Sequence, residues 1–528
     1  MPDVPEQRDR CAALFSLSDK TGAEELAGAL QERGTTIYAT GGTQAYLRKH
    51  GVAALDVGDL TGFPPLFGGR VKTLHPKIFG SILFDRDDRR HREQAEEHGV
   101  PRIATVAVNL YPFEATIARE GASQAEAIEQ IDIGGVSLLR AAAKNFAHVA
   151  VLTHPSQYAE YIAALRSGGL SLPMRRKYAV AAFERTAEYD VAISHYLAAA
   201  GKVLPSDLPG ALALTLPLIK RLRYGTNPQE RAAFYLDRSD DFPEQLHGKS
   251  LSYNNLLDLD ATLRLLARAP LGNPLSDDGA KLVRAAVVKH TIPCGVAQRS
   301  SVAEAVGEAL QADAVSAYGG IVATDAVINR VAAERLTAYF LEMVAAPGFD
   351  GDALSILKAK KNLRVMRFAP ALPERLARAL QLRSALGGVL AEDDDPQAAL
   401  EQWRVVSRRE PDARQWQDLA FAWDVVRHVK SNGVVIVRDG LTRGICAGQT
   451  NRVSAVQIAA ERAGEGAQGA ACASDGYFPF VDGLEAAAAG GCSAVIAPRG
   501  SIRDPDVVAA ADRLRIALVF STYRYFLH

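Results

Sequence analysis

Apolar and polar positions alternate along this chain with two distinct periods. CAALFSL (11–17) is a short, nearly continuous apolar run and predicts a strand. GAEELAGALQERG (22–34) places leucine and alanine three and four residues apart and predicts a helix. TTIYAT (35–40) predicts the next strand, and GGTQAYLRKHG opens another helix. ATVAVNLYPF (104–113) and HVAVLTHP (148–155) continue the series. Strands that alternate with helices predict βαβ units and a mostly parallel sheet, whose ligands bind in loops at the carboxyl ends of strands. Beyond residue 217 the pattern is again α/β. RAAVVKH (284–290), GGIVAT (319–324) and GVVIVRDG (433–440) predict strands, and QDLAFAWDVVRHVKSN (417–432) predicts an amphipathic helix.

Punctuation between these elements divides the chain. GKVLPSDLPGALALTLP (201–217) is rich in Pro and Gly and predicts a linker between a domain at 1–200 and one at 218–528. The acidic AEDDDP stretch predicts a further split of the second domain near 385–400. The two parts of that domain echo each other only faintly, with no fixed-period repeat. A length of 528 residues is in any case too great for one core.

Composition narrows the function by exclusion. The chain is 48% hydrophobic and 23% charged, as a globular protein is. Its 60 basic residues offset 61 acidic ones, so no global field draws nucleic acid or an anionic membrane. The charged N-terminus has no secretory h-region, and the apolar 211–219 stretch is too short to span a bilayer. Five scattered cysteines without a CxxC pair predict reduced thiols, a cytoplasmic location and no structural zinc.

Several short clusters fall where strands should end. Ser16, Ser18, Lys20 and Thr21 precede a helix and can cradle a phosphate, as can Gly42 and Thr43 in TGGT. Helix capping would also explain them. In Gly69–Pro76 an extended backbone would point Arg70 and Lys72 the same way, beside Thr73 and His75. IDIGG (131–135) puts Asp132 before a Gly pair, and Lys144 follows twelve residues later. Capping for Asp132 and a helix-end charge for Lys144 are the structural alternatives. In the second domain, RYGTNPQE (223–230) and QLHGKSLSYNN (245–255) predict loops. KHTIPCG (289–295) places Lys289 and His290 at a strand end, where Pro-Cys-Gly should force a turn. A histidine there can move a proton, and the lysine can stabilise an oxyanion. Zinc deamination fails on spacing, because Cys294 lacks a second cysteine three residues on. Asn432 and Arg452 flank a predicted strand. The aromatics of SDGYFPF (474–480) either cover a flat ring or pack a core.

Taken in order, GRVKTLHP, NLYPF, IDIGG, AAAKN, RYGxNP, QLxGKxLSYNN, KHxxPCG, SAxGGIVA, KSN, AGQxxR and SDxxFPF give a specific signature. The chain resembles, over nearly its full length, the bifunctional phosphoribosylaminoimidazolecarboxamide (AICAR) formyltransferase/IMP cyclohydrolase family. The resemblance implies a methylglyoxal-synthase-like N-terminal cyclohydrolase domain and a C-terminal transformylase of two cytidine-deaminase-like subdomains without zinc. It implies a homodimer and 10-formyltetrahydrofolate as formyl donor, with no redox cofactor or catalytic metal. Carried over by motif, Lys72, Tyr111, Asp132 and Lys144 would serve cyclisation. Ser16, Ser18, Lys20, Gly42, Thr43, Arg70 and Thr73 would hold the nucleotide. Lys289, His290 and Asn432 would serve formyl transfer, with Arg223, Tyr224, Asn255, Arg452 and Arg524 as substrate ligands.

Four positions depart from the family pattern: Gln229 where NPHQ has histidine, Ile292 in KHxNPCG, Tyr318 in SAFGG and Phe79 in KIHGG. Gln229 raises the alternative of a cyclohydrolase with a weakened transformylase domain.

Overall fold

The computed structural model describes residues 11–64, 66–200, 210–236, 242–267, 282–392 and 403–528. It divides into two compact units, Met1–Thr215 and Leu216–His528. Residues 201–209 of the expected linker and 393–402 of the expected split lie outside the described residues. No helix among the described residues is long and apolar enough to cross a membrane.

The first unit is built on five strands, β1 (Cys11–Leu17), β2 (Thr36–Ala39), β3 (Leu55–Asp56), β4 (Arg102–Asn109) and β5 (Ala150–Leu152). They lie in the order β3-β2-β1-β4-β5, and every pair is parallel. Helices cover such a sheet on both faces, so its strands carry apolar side chains at successive positions. Leu14, Phe15, Val106, Ala107 and Val151 are accordingly all fully buried. The chain leaves β1 towards β2 on one side and fills β4 on the other. The crevice outside the carboxyl ends of β1 and β4 is therefore the topological switch point. A helix over Leu172–Ala200 closes the unit and buries Tyr178 and Tyr189.

The second unit opens with a hairpin of β6 (Leu218–Arg221) and β7 (Ala233–Tyr235). Its main sheet gathers β8 (Glu244–His247), β9 (Val283–Lys289), β10 (Ile292–Arg299), β11 (Ile321–Thr324), β12 (Met343–Ala346) and β13 (Arg364–Arg367). After a hairpin of β14 (Gln381–Ala385) and β15 (Gly388–Glu392) come β16 (Arg404–Val405), β17 (Val434–Arg438), β18 (Leu441–Cys446), β19 (Ala471–Ser474), β20 (Ala494–Pro498) and β21 (Ala517–Ser521). The twelve-stranded order is β16-β21-β20-β19-β17-β18-β10-β9-β11-β12-β13-β8.

That order is a palindrome about the β18–β10 pair. Each half runs helix, antiparallel hairpin, then helix and parallel strand three times, beginning from Tyr253–Arg264 in one and Ala413–Val426 in the other. The halves are joined edge to edge where Ala297 pairs with Leu441. One face of the sheet is covered by the two opening helices, which share a single core through Leu259, Leu263, Leu419 and Trp423. Alternate strand residues on the other face enter two separate cores, one per half. Inside the shared core Arg284 of β9 is ion-paired with Asp424 at 2.7 Å, tying the halves together. This duplication is much clearer in topology than the faint echo in sequence, because element order and strand pairing repeat while most side chains differ.

Candidate active sites

At the switch point of the first unit, loops from β1 and β4 are bonded to one another. Ser18 Oγ donates to the Leu110 carbonyl at 2.7 Å. The Asn109 side chain accepts from the Asp19 amide at 2.9 Å and donates to the Asp19 carbonyl at 2.9 Å. Asn109 was not among the expected site residues, although it begins the NLYPF cluster. Lys20 Nζ donates to the Ser18 carbonyl at 3.2 Å, which holds its charge over the loop. The following helix is capped by Gly22 in a left-handed conformation, φ 68°, with no side-chain cap. The hydroxyls are therefore not spent on capping. Ser16 lies beside Thr40 at the next strand end, 3.5 Å between hydroxyl oxygens. Gly42 is exposed at a helix start, while Thr43 is buried and ties its Oγ to the Leu17 backbone. Thr43 thus shapes the loop from below.

The Asp132 carboxylate organises the second part of this site. It accepts the Gly135 amide at 2.7 Å and the Tyr111 backbone N–H, and it lies within electrostatic reach of Lys72. Its own amide donates to Tyr189 Oη at 2.9 Å, and that hydroxyl donates to the Gln130 carbonyl at 2.6 Å. Burial pushes the Asp132 pKa up, against the lowering effect of the two N–H groups and Lys72. The carboxylate thus bonds an amide in the first turn of the helix and also lies near a lysine. The glycine pair is a packing demand. A Cβ on Gly134 would sit 2.4 Å from Thr73 Oγ1, and one on Gly135 would sit 2.3 Å from Asp132 Oδ2.

One expectation for this unit is corrected. Arg70–Thr73 is a turn, not an extended segment, so period-two geometry does not align its cations. Arg70 pairs with Glu129, Lys72 faces Asp132, and Thr73 is buried against the Gly134 helix. Lys144 ends the helix Gly134–Lys144, whose eleven residues rise about 16 Å. It is exposed, in the last turn of the helix that begins beside Asp132.

In the second unit, the turn after β9 is made by His290 and Thr291 themselves, at φ 57° and 61°. Lys289 and Ile292 pair across it. Pro293, Cys294 and Gly295 lie in β10, so they do not form the turn. Gly295 is needed because a Cβ would meet the Ala309 carbonyl oxygen at 2.1 Å. Lys289 Nζ donates to the Tyr318 carbonyl at 2.7 Å, and His290 is exposed. A cavity of about 460 Å³ opens beside them, with Asp313, Arg443 and Arg462 also in its wall. Burial, with Asp313 nearby, pushes the Cys294 thiol up to about 12, so it is no nucleophile at neutral pH.

Strand pairing puts Asn432 on the same sheet edge as this turn. Val434 of β17 pairs with Cys446 of β18, and the antiparallel β18–β10 register brings Cys446 level with the start of β10. Three strand spacings, roughly 14 Å, separate β17 from β9. Asn432 Nδ2 donates to the Gln449 carbonyl at 2.8 Å. Arg452 is ion-paired with the fully buried Asp475 and donates to Ser474 Oγ at 3.1 Å, contacts that also hold the loop. Asp475 went unrecognised in the sequence, where SDGYFPF drew attention to its aromatics. Of those, Phe478 is core, while Tyr477 and Phe480 are exposed. Arg524 stacks on Phe526, 4.8 Å from the ring centroid.

The remaining expected ligands stand around β8 and the helix that follows. The 245–255 segment is not all loop: it contains most of β8 and the start of the helix Tyr253–Arg264. Arg223 lies on the Tyr224 ring at 4.6 Å and donates to its hydroxyl at 2.9 Å. Asn255 is buried and forms a capping box with Ser252, accepting the Ser252 amide at 3.1 Å.

Sequence comparison decides the family. The profile of the AICARFT/IMPCHase bienzyme matches residues 142–462, and that of the MGS-like domain matches residues 22–137. The chain belongs to the AICARFT/IMPCHase bienzyme family. A bifunctional purine biosynthesis protein PurH of Synechococcus elongatus is 44% identical, over 98% of this chain and 99% of its own. The protein of that name from Caulobacter vibrioides is 43% identical over 100% and 99%. One from Prochlorococcus marinus is 46% identical over 98% and 99%. This chain is accordingly a bifunctional transformylase and cyclohydrolase of the last two steps of purine biosynthesis, with an MGS-like domain at its N-terminus.

None of the four departures from the family pattern replaces an expected site residue. Tyr318 reaches Lys289 only through its main-chain carbonyl, which any residue supplies. Ile292 is the strand partner of Lys289, and Phe79 packs against the first unit's core. Gln229 is exposed on a loop closed by the Gly225 amide on the Glu230 carbonyl and by Asn227 on the Glu230 carboxylate.

Proposed function

We propose that the Met1–Thr215 unit closes the purine ring and that the Leu216–His528 unit transfers the formyl group from 10-formyltetrahydrofolate. The observation carrying this reading is that each unit has its own cluster of proton-handling and cationic groups, Asp132 with Lys72 in one and His290 with Lys289 in the other. The switch-point loops with Lys20, Ser16, Ser18 and Gly42 suit a nucleotide phosphate.

Formyl transfer needs a base, because the 5-amino lone pair is delocalised into the imidazole and the amine must lose its proton as it attacks. His290 takes that proton, and Lys289 stabilises the oxyanion formed at the formyl carbon. Collapse breaks the bond to N10 of the folate, which takes the proton back from His290 and leaves as tetrahydrofolate. Asn432, Arg223, Tyr224 and Arg524 orient the substrates, and the cationic cavity wall suits their negative charges. Ring closure is intramolecular, so holding the carboxamide against the formyl carbonyl supplies much of the acceleration. Lys72 polarises that carbonyl, and Asp132 with Tyr111 relays protons as water leaves. The active protein is a homodimer, as the family resemblance implies.

Two variants of the full chain test the division. Lys72→Ala should lower ring closure and spare formyl transfer. His290→Ala should lower formyl transfer by about 10²–10⁴-fold, the usual loss of a general base, and spare ring closure. The reverse pattern would mean that the sites are exchanged. A His290→Ala enzyme with more than about a tenth of normal turnover would remove His290 as the base.

A further inference from the structure

The two hairpins that open the halves of the second unit share one construction. In each, two residues in the left-handed region connect the strands: His290 and Thr291 at φ 57° and 61°, Asp439 and Gly440 at φ 60° and 62°. Such turns favour Asn-Gly or Asp-Gly, because a Cβ crowds the backbone there. Asp-Gly satisfies that demand in the second half. In the first half a histidine and a β-branched threonine occupy it, and Thr291 is among the least suited of residues.

Both turns are clamped from the opening helix. Asp258 accepts the Thr291 amide at 2.7 Å and the His290 backbone N–H. Asp418 accepts the Asp439 amide at 2.9 Å and the Gly440 amide at 2.8 Å. The spacing that delivers each carboxylate is the same. Ser252 and Asn255 form a capping box with Asp258 three residues further on, and Asp412, Gln415 and Asp418 repeat the arrangement. The clamp is thus a duplicated device, and only the first copy carries a residue able to move a proton at neutral pH. A strained turn that persists under such a clamp fixes the direction of its side chains.

We propose that Asp258 is a positioning residue for formyl transfer, whose carboxylate holds the unfavourable His290–Thr291 turn so that His290 is aimed at the reacting amine. This rests on the reading of His290 as the base. Asp258 does not touch the substrates; it acts through the turn. Thr291 is then a cost that the clamp offsets, and a glycine at that position should make the clamp dispensable.

The test uses full-chain variants, assayed for formyl transfer and for ring closure. Asp258→Ala should lower the formyl-transfer kcat by roughly 10–100-fold, as a displaced catalytic group does, with the nucleotide KM changed by less than about threefold. Asp258→Asn keeps an oxygen acceptor and should retain most of the activity. Asp258→Ala with Thr291→Gly should recover most of what Asp258→Ala loses. Asp418→Ala removes the twin clamp and should leave the formyl-transfer kcat within about twofold. Ring closure should stay normal throughout. The proposal is overturned if Asp258→Ala keeps normal kcat while His290→Ala is inactive, if Thr291→Gly gives no recovery, or if Asp258→Ala and Asp418→Ala lose turnover equally. If His290→Ala itself stays active, the base reading fails first, and the positioning role fails with it.

Discussion

The Gly135 amide lies 2.7 Å from Asp132 Oδ1, so close that a Cβ on this glycine would fall 2.3 Å from the other carboxylate oxygen. The glycine is therefore a condition for where the carboxylate sits. Gly135→Ala should push the carboxylate away from the Tyr111 amide and Lys72. The expected result is a loss of ring closure of at least about tenfold, with formyl transfer unaffected. Parallel assays of the two half-reactions check this, and equal loss of both would contradict it.

Asp132 also carries a pH signature. Burial raises its folded pKa above the ordinary 3.8. The folded state then holds this proton more tightly than the unfolded chain does. Stability is consequently lost as pH rises from about 3.8 through the folded pKa. Asp132→Asn removes that loss. Its melting temperature, relative to wild type, should improve as pH rises across this window, while ring closure falls by about 10²-fold or more. Thermal melts at a series of pH values check the sign. A relative melting temperature that declines with rising pH would oppose the assignment.

The Arg284–Asp424 pair is a structural counterpart. Both side chains are nearly buried, at 3% and 5% exposure, and Asp424 also meets Arg427 at 3.2 Å. Asp424→Ala would leave two guanidinium groups without this carboxylate inside the shared core. Removing one partner of a buried pair typically costs 3–5 kcal/mol, so a destabilisation of about that size is expected. Denaturant unfolding followed by tryptophan fluorescence reads it directly, since Trp423 sits in the same core. Ring closure in the first unit should persist at denaturant levels that unfold the second.

Gln229 should prove compatible with an active transformylase. It is exposed on a loop whose shape is set by Glu230, Asn227 and Gly225. An amide donates and accepts hydrogen bonds as an orienting histidine would, but it does not titrate near neutrality. Gln229→His should change turnover by less than about tenfold, or 1.4 kcal/mol of barrier. A pH series of tetrahydrofolate release for both forms checks this. Wild type without formyl transfer at any pH, restored by Gln229→His, would make the histidine position catalytic.

The sequence by itself determined the strands, the α/β class and the family. Those signals are local: an apolar run such as CAALFSL must be buried on both faces, and ordered motifs survive whatever the chain does between them. It also singled out Asp132, Lys289 and His290 as candidates, and the structure places them at or beside element ends. What it misplaced depended on partners far along the chain. Pro-Cys-Gly is turn-like in isolation, yet the ladder with β9 draws it into a strand and moves the turn to His290–Thr291. Arg70 and Lys72 lie in a turn rather than an extended segment, and their partners, Glu129 and Asp132, come some sixty residues later. The palindrome of the twelve-stranded sheet, and with it the pairing of Asp258 with Asp418, arose only in tertiary structure. Strand pairing and a carboxylate six residues beyond a helix cap can be conserved while almost every side chain around them changes.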